Sequence, residues 1–344
     1  MAPSLTELLE ELVGEILLRL SPDEPADLLR ASLVCKRWCR LLSDPFFRLR
    51  YCRYHRTPPL LGFVHDEDNV PGFVSTVASP CSVPALDCRW VLDSHHGRIL
   101  FYCFAPTGLV VWDPLTREQQ QVPLPPYPYS HNHYTATVLC SVAGCDHLDC
   151  HGGPFLVVFV ANHDEDDASI WVSVYSSETG AWGASSTSEL KLAVDMFPSL
   201  RIGDALYFMV DDGESILVYD LAGRGLSAIE VPNKELEERG IVMMLEDGRL
   251  GVAGVEDRRL YLWSWQEAGA GWKECKIIEL ATLLALSNTL VSIAVVGFVE
   301  GTDTVFLSID ADIFTLKIKS GLVKKVDENG PYSVVIPYTG FYLP

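Results

Sequence analysis

One pattern of short strands recurs through residues 58–344, and it limits the fold more than any other feature of the chain. Each unit has an apolar strand, a turn at an acidic residue or glycine, a strand rich in β-branched and aromatic residues, and an amphipathic strand. The clearest unit spans residues 97–123, and four further units begin at Phe155, Ala205, Arg249 and Thr304. The units are roughly 45 to 60 residues apart, which is typical of β-propeller blades with loop insertions.

The spacing also predicts the number of blades and how the ring closes. Residues 58–344 hold six units of about 45 residues each, with seven as the alternative. A blade has two apolar faces, which are buried only when blades stack around an axis. We expect the segment from Val334 to Tyr338 to complete the blade that starts near Leu60 to Val64, because closure removes free sheet edges.

The first 56 residues have a helical period instead. Ser4 and Glu7 have the spacing of a capping box, in which each side chain satisfies a free backbone N–H group. Leucine, isoleucine and valine then recur at helical spacing, which predicts a helix over residues 4–20. Ser21-Pro22 ends this helix, because proline cannot continue the hydrogen-bonding pattern.

Two more helices are predicted before the repeat begins. One starts near Pro25, and the other spans about residues 34–42. Asp44-Pro45 then precedes a basic, aromatic tail over residues 46–56. A segment this short is marginal as an independent domain. Its apolar surface is therefore either a cap on the large domain or a face kept for a partner.

This N-terminal segment resembles an F-box. The family pattern contains Glu-Ile-Leu-x-x-Leu, Val-Cys-Lys-x-Trp and Ser-Asp-Pro-x-Phe. The matching residues here are Glu15-Ile16-Leu17, Leu20, Asp27-Leu28, Leu33-Val34-Cys35-Lys36-Arg37-Trp38 and Ser43-Asp44-Pro45. The chain departs from the pattern at Leu9, where the family has an early proline that contacts the partner.

The resemblance implies that the helical face docks on a Skp-family adaptor, which links the protein to a cullin and a RING-bound ubiquitin-conjugating enzyme. The adaptor-binding residues it implies are Leu8, Leu9, Leu12, Ile16, Leu17, Leu20, Leu28, Val34, Cys35 and Trp38. Trp38 is the first choice for a binding hot spot, although a tryptophan here fits the F-box core equally well.

A second resemblance lies in the repeat. The stretch Val111-Trp112-Asp113-Pro114-Leu115-Thr116-Arg117 resembles a Trp-Asp-Pro-x-Thr turn of plant F-box-associated propeller domains. The two resemblances imply a multidomain α + β protein. A small three-helix F-box over residues 4–53 is followed by an all-β, propeller-like substrate-recognition domain over residues 58–344.

Charge is unevenly divided between the two parts. Residues 1–56 hold nine Lys or Arg and eight Asp or Glu, so 17 basic and 38 acidic residues remain in 57–344, a net charge of −21. Such a domain repels phosphate backbones, which disfavours nucleic acid as a partner. It would attract a basic protein substrate, although solubility alone also explains the charge.

The chain is expected to be cytoplasmic, nuclear or both. The N-terminus lacks the basic start of a secretory signal, and no run approaches the roughly 20 apolar residues of a membrane span. The ten cysteines are not placed like the framework of a small secreted domain, so free thiols are expected.

The sequence has none of the usual catalytic signatures, and we predict a non-catalytic protein without a cofactor. It contains no phosphate-binding glycine loop, no nucleophile elbow and no His-Glu-x-x-His. One cluster has zinc-ligand chemistry, and it consists of Cys140, Cys145, His147, Cys150 and His151. Its cysteines are not spaced as a two-residue knuckle, which favours a loop with free thiols and no metal.

The substrate-binding residues cannot be identified from the sequence, although loops at one end of a propeller are the usual place. Exposed candidates are His95-His96, the aromatic run 127–134 and the acidic run 163–167. The run 127–134 is equally explained as a linker between blades, and 163–167 as a solvated turn. Two other functions remain open: a non-degradative scaffold, and a propeller enzyme or sugar-binding module with a vestigial F-box.

Overall fold

The structure is a computed structural model. The residues it describes are 5–67, 70–77, 88–163, 169–233, 239–266, 271–284, 291–310, 312–328, 332 and 334–344.

The chain begins with four helices rather than the three predicted. They are α1 (Leu5–Leu18), α2 (Pro25–Val34), α3 (Lys36–Leu42) and α4 (Pro45–His55). The predicted basic, aromatic tail is the fourth helix. Asp44 caps it by accepting a hydrogen bond from the Phe46 N–H at 2.7 Å, and Pro45 occupies its first turn, where no backbone donor is needed. The predicted cap residue Ser4 lies outside the described residues.

Six antiparallel sheets follow. The first contains β1 (Leu60–Glu67), β2 (Val70–Ser75) and the last strand of the chain, β24 (Val335–Thr339). The second contains β3 (Cys88–His95), β4 (Arg98–Phe104), β5 (Thr107–Trp112) and β6 (Gln119–Val122). The third contains β7 (Tyr134–Cys140), β8 (Phe155–Asn162), β9 (Ile170–Ser176), β10 (Ala181–Trp182) and β11 (Ser186–Ser188).

The remaining three sheets have four strands each. The fourth contains β12 (Leu200–Ile202), β13 (Ala205–Val210), β14 (Ser215–Asp220) and β15 (Leu226–Glu230), with a 3₁₀ turn at Asp211–Gly213. The fifth contains β16 (Ile241–Met244), β17 (Leu250–Glu256), β18 (Arg259–Gln266) and β19 (Gly271–Glu279), which the short helix α5 (Leu280–Leu283) follows. The sixth contains β20 (Ile293–Val299), β21 (Thr304–Ile309), β22 (Asp312–Lys317) and β23 (Leu322–Asp327).

These sheets are the blades of a six-bladed propeller, which confirms the predicted number. The repeat read from the sequence is also the structural repeat, since its three segments are the second, third and fourth strands of a blade. Four blades bury one phenylalanine completely on the second strand, at Phe101, Phe159, Phe208 and Phe306. In β21 the successive residues Val305, Phe306 and Leu307 are all 0% exposed, so blade stacking buries both faces of this sheet, as the apolar pattern requires.

The ring closes between the two ends of the domain, as predicted. β24 pairs antiparallel with β1, with Val64 opposite Ile336. β24 also packs between β20 and β3, so it is the innermost strand of the first blade. The pairing covers the edge of β1 that would otherwise face the channel.

Gly297 allows the closing strand to lie close to the last blade. A Cβ atom at Gly297 would lie 2.6 Å from the backbone oxygen of Val335. We expect Gly297→Ala to lower the free energy of unfolding by about 1–3 kcal/mol, because one of the two backbones must move. Urea denaturation would measure the change. Gly225→Ala is the control, since a Cβ there meets nothing within 4 Å. Equal stabilities of the two variants would contradict the prediction.

The helices pack on one end of the propeller and share a core with it. Leu17, Leu28 and Tyr51 are each 1% exposed. They belong to a buried cluster that also contains Phe341 and Leu343, which follow β24. The rings of Tyr51 and Phe341 meet edge to face at a centroid distance of 6.1 Å. One side of the helical segment is therefore a cap on the propeller, which confirms the first of the two interpretations of its apolar surface for that side.

Seven cysteines of the described residues are free thiols, as expected, but a disulfide is also present. The free cysteines described are Cys35, Cys39, Cys52, Cys140, Cys145, Cys150 and Cys275. Cys103 is disulfide-bonded, which corrects the expectation, and it lies opposite Cys88 in the ladder of β3 and β4. No helix among the described residues combines the length and the apolar character needed to cross a bilayer.

Candidate functional site

Four of the predicted adaptor residues are exposed, two on α1 and two at the end of α2. Leu12 and Ile16 of α1 are 58% and 59% exposed, and Val34 at the end of α2 is 63% exposed. Cys35 follows it in extended conformation and is also exposed. Leu33 was left out of the predicted set although it lies within the matching motif, and it is 84% exposed. We call Leu12, Ile16, Leu33, Val34 and Cys35 the apolar F-box face.

The other predicted residues are less accessible. Leu17 and Leu28 are buried in the core shared by the helices and the propeller. Leu20 and Trp38 are partly buried and pack against that core. Trp38 therefore makes the core contact considered for it, and its role as a binding hot spot stays a prediction. The side chains of Leu8 and Leu9 lie outside the described residues.

Helix α4 holds the apolar F-box face in place from behind. The Tyr51 hydroxyl donates to the Leu20 carbonyl at 2.8 Å, and the His55 Nε2 atom is 2.9 Å from the Leu18 carbonyl oxygen. Arg50 forms an ion pair with Glu15 of α1. The first two contacts satisfy the carbonyl groups of Leu18 and Leu20, at the end of α1 and just after it, which lack a partner within the helix. Helix α1, which carries Leu12 and Ile16 of this face, is therefore held in position by contacts with α4.

The two ends of the propeller differ in whether the helices cover them. All blades repeat the same strand order, so their first strands run in one direction along the central channel. Leu148 lies between β7 and β8, and Phe341 and Leu343 follow β24, so all three lie where a first strand ends. These are the residues that the helices contact. The opposite end of the channel, where the first strands begin, is left free of the F-box.

The central channel contains a cavity of about 760 Å³. Asp195, Asp212 and Asp310 line it toward the free end. The Asp212 N–H donates to the Asp195 carboxylate at 2.8 Å, and Arg239 pairs with Asp212 at 2.9 Å. Burial raises the pKa of Asp195. This mouth of the channel is therefore polar and mainly acidic.

A buried network crosses the channel near the F-box end. His95 Nδ1 is 3.0 Å from Glu300 Oε2, and His95 Nε2 is 3.1 Å from Ser199 Oγ. The Ser199 hydroxyl donates to Asp93 Oδ2 at 2.6 Å, and the Ser199 N–H donates to the same oxygen at 3.0 Å. The network joins three blades, because its members come from β3, the segment before β12, and the turn after β20. We call Asp93, His95, Ser199 and Glu300 the channel network.

The channel network contains the residue types of a Ser-His-Glu triad, but its histidine and serine are not in the protonation state and hydrogen-bonding arrangement that a triad needs. Burial alone would lower the pKa of His95, but Glu300 and Asp93 outweigh it and raise that pKa well above its usual value. Burial would raise the pKa of Asp93, but His95 and Ser199 hold it below its usual value. A cationic imidazole cannot act as a general base, and the serine proton already points to Asp93. The network therefore binds blades together.

The histidine pair was expected to be exposed, which is wrong for His95. That side chain is 1% exposed within the channel network. His96 is partly buried, and its ring stacks on His147 at a centroid distance of 3.9 Å. His96 Nδ1 accepts the Cys140 N–H at 3.1 Å. Burial lowers the pKa of His96 to about 2, so this ring is neutral and can accept that bond.

The aromatic run 127–134 is a linker between the second and third sheets, as one of the two interpretations held. Tyr129 and Tyr134 are buried, and the Tyr129 hydroxyl lies 3.2 Å from that of Tyr102. The run leaves His131 and Asn132 exposed. Residues 164–167 of the acidic run lie outside the described residues.

The aspartate of the Trp-Asp-Pro turn stabilises the turn by accepting backbone hydrogen bonds. Asp113 accepts the N–H groups of Leu115 and Thr116 at 2.9 and 3.1 Å. Its second oxygen is 2.6 Å from His151 Nδ1. His151 is thus paired with Asp113 and does not join the other members of the cysteine and histidine cluster.

Comparison with known proteins agrees with both parts of the fold. Residues 10–54 match the family described as F-box-like. Residues 90–342 match the family described as F-box protein AT5G49610-like, beta-propeller. The chain is 21% identical over 370 residues to F-box protein At5g03970 of Arabidopsis thaliana, covering 94% of this chain and 83% of that protein.

Solved structures share less with the chain. The β-propeller domain of Myceliophteria thermophila Cps50 (Swd1) is 10% identical, with a TM-score of 0.39 over 73% of this chain and 88% of that one. The extracellular domain of BT4673 from B. thetaiotaomicron is 14% identical, with a TM-score of 0.38 over 72% of this chain. The chain spans only 29% of that domain's length.

The helical segment and the propeller are thus matched separately, and the propeller match covers most of the chain. The protein belongs to the plant F-box proteins of the AT5G49610-like β-propeller family.

Proposed function

We propose that the protein is the substrate-recognition subunit of a Skp–cullin–F-box ubiquitin ligase. The apolar F-box face would dock on a Skp-family adaptor, and the propeller would hold a protein substrate. The observation that supports this most is the exposure of Ile16 and Leu33 on a braced helical surface, at positions the F-box motif specifies. Large apolar side chains left exposed at motif positions suit an interaction site.

The arrangement of the two parts supports a division of labour. The F-box covers one end of the propeller, so we infer that a substrate binds at the other end, where Asp195, Asp212 and Asp310 line the channel mouth. The charge of −21 on residues 57–344 favours a substrate with a basic segment, because complementary charge raises the rate of encounter.

We also infer that the propeller performs no chemistry of its own. The channel network contains a serine, a histidine and carboxylates, but its histidine is held as a cation. The protein would then contribute binding and orientation, while the transfer of ubiquitin is carried out by its partners. Its expected location, the cytoplasm or the nucleus, is where such partners would be met.

Adaptor binding can be tested with two variants of matched exposure. We expect Ile16→Lys to raise the Kd of the full chain for a purified Skp-family adaptor by roughly 10- to 100-fold, because a charge would be placed in an apolar contact. Isothermal titration calorimetry would measure it. Leu322→Lys is the control, since Leu322 is also 59% exposed but lies on the propeller strand β23. Unchanged binding by Ile16→Lys would contradict the docking face.

A pull-down from plant extract distinguishes ligase function from the scaffold alternative. Recovery of a cullin together with the adaptor would support the ligase. Recovery of the adaptor without a cullin would favour the non-degradative scaffold.

A further inference from the structure

Three cysteines and one histidine converge where β7 turns into β8. The possible metal-binding atoms of Cys140, Cys145, His147 and Cys150 all lie within 4.8 Å of one another. The Sγ atoms of Cys145 and Cys150 are 3.6 Å apart, and His147 Nδ1 is 3.6 Å from Cys150 Sγ. A tetrahedral zinc ion with bonds of about 2.0–2.3 Å separates its ligands by roughly 3.5–3.8 Å. The two spacings of 3.6 Å fit this geometry, and a shift of about 1 Å would bring the remaining ligand atoms, which lie within 4.8 Å, to the same separation.

The backbone of the loop over residues 141–154 is shaped to bring these side chains together. Gly144 and Gly152 have positive φ angles of 69° and 67°, and His147 has a φ of 56°, which is uncommon for a residue with a side chain. The His147 N–H donates to Cys145 Sγ at 3.4 Å, and the Cys140 N–H donates to His96. Loops of this length without secondary structure usually have a function.

The surrounding charge also suits a zinc site. One Zn²⁺ with three thiolates and a neutral imidazole has a net charge of −1. Arg98 is 4% exposed, and its Nη2 donates to the carbonyls of Cys150 and Gly153 at 2.6 and 2.7 Å. Its buried Nη1 has no hydrogen-bond partner among the described residues. A buried cation beside the cluster would be compensated by the bound anionic centre.

We propose that Cys140, Cys145, His147 and Cys150 bind one structural Zn²⁺ ion. Sulfur ligands with one imidazole and four-coordinate geometry select zinc over magnesium or calcium. The cysteine spacing had argued against a metal, but the pair separated by two residues is His147 and Cys150, a histidine and a cysteine.

The same loop connects the propeller to the F-box. Between the proposed ligands, the loop has residues that contact the helices. Asp146 is 3.5 Å from Arg53, and Asp149 is 3.9 Å from Arg48. Leu148 packs against the core of the helices. Arg48 and Arg53 belong to α4, which braces the apolar F-box face. The zinc ion therefore fixes the loop that holds the F-box at its angle to the propeller.

The experiment uses the full chain, purified without a polyhistidine tag or chelator. Elemental analysis is expected to find about one zinc per chain. Exchange with Co²⁺ should produce the visible bands of a tetrahedral thiolate site. Cys145→Ser should lose most of the zinc, and Cys275→Ser, at a free cysteine in another blade, should retain it. Both wild-type measurements are independent of whether Cys145→Ser folds.

Removal of the ion tests the connection to the F-box. Chelation of the wild-type protein is expected to increase hydrogen exchange in α4 while leaving exchange in β21 unchanged. A wild-type protein without zinc that also takes up no Co²⁺, or one with a Cys145–Cys150 disulfide, would overturn the metal site. A zinc-loaded protein whose α4 exchange does not change on chelation would overturn its role in holding the F-box.

Discussion

Asp93→Ala is expected to lower the free energy of unfolding by about 3–5 kcal/mol, the usual cost of removing one partner from a buried ion pair. The substitution leaves the cationic ring of His95 with Glu300 alone and removes the acceptor of two Ser199 hydrogen bonds. Urea denaturation at neutral pH would measure it. The control is Asp247→Ala, which removes an exposed pair with Arg249 and should cost at most about 1 kcal/mol. Similar losses for the two variants would contradict the buried role of Asp93.

The pH dependence of stability provides a second readout of the same network. The pKa of His95 is raised in the folded state, so its contribution is complete below about pH 6.5 and is lost as pH rises through the folded value. The pKa of Asp93 is lowered, so its contribution is present above about pH 3.9 and is lost as pH falls through the folded value. The difference in the free energy of unfolding between wild type and Asp93→Ala should therefore become smaller at low pH and at high pH. If this difference does not change as the pH rises, His95 is not charged in the folded protein.

Phe63→Ala is expected to cost about 3–5 kcal/mol, as is typical for removing a large buried side chain. Phe63 of β1 is completely buried and meets the rings of Phe306 and Tyr332 at centroid distances of 5.3 and 6.2 Å. It thus joins the first blade to the last one at the point where the ring closes. Thermal and urea unfolding would both report the loss.

The matched control for this position is Phe46→Ala. Phe46 is 84% exposed on α4, so its removal should change stability by no more than about 0.5 kcal/mol. If Phe63→Ala were equally mild, the contact between the first and last blades would not contribute to the closure of the ring.

The parts of the fold that could be predicted are those that depend on local patterns. Alternating strands and turns define each blade within about 50 residues. The closing strand followed from the need to cover sheet edges. Helix α4 was missed because its apolar residues do not recur at a clear helical spacing. Phe47 and Tyr51 are buried by contacts with residues that follow β24, which no local pattern shows.

The candidate sites were only partly predictable, for two physical reasons. The F-box motif specifies apolar positions but does not separate Leu17, which is buried against the propeller, from Ile16, which is exposed. The channel network combines His95, Ser199 and Glu300 from three blades, and chain order gives no indication that they meet. The convergence of the cysteine cluster depends on the left-handed backbone at His147, which spacing along the sequence does not show.

The closing strand also determines when the protein becomes complete during synthesis. The F-box leaves the ribosome before the propeller, but the residues that finish its core, Phe341 and Leu343, follow β24. At about 5–20 residues per second, roughly 15 to 60 seconds separate Tyr51 from Phe341. Throughout that interval the helices lack the propeller residues against which they pack. Only a nascent chain translated past the closing strand can fix the position of the apolar F-box face relative to the propeller.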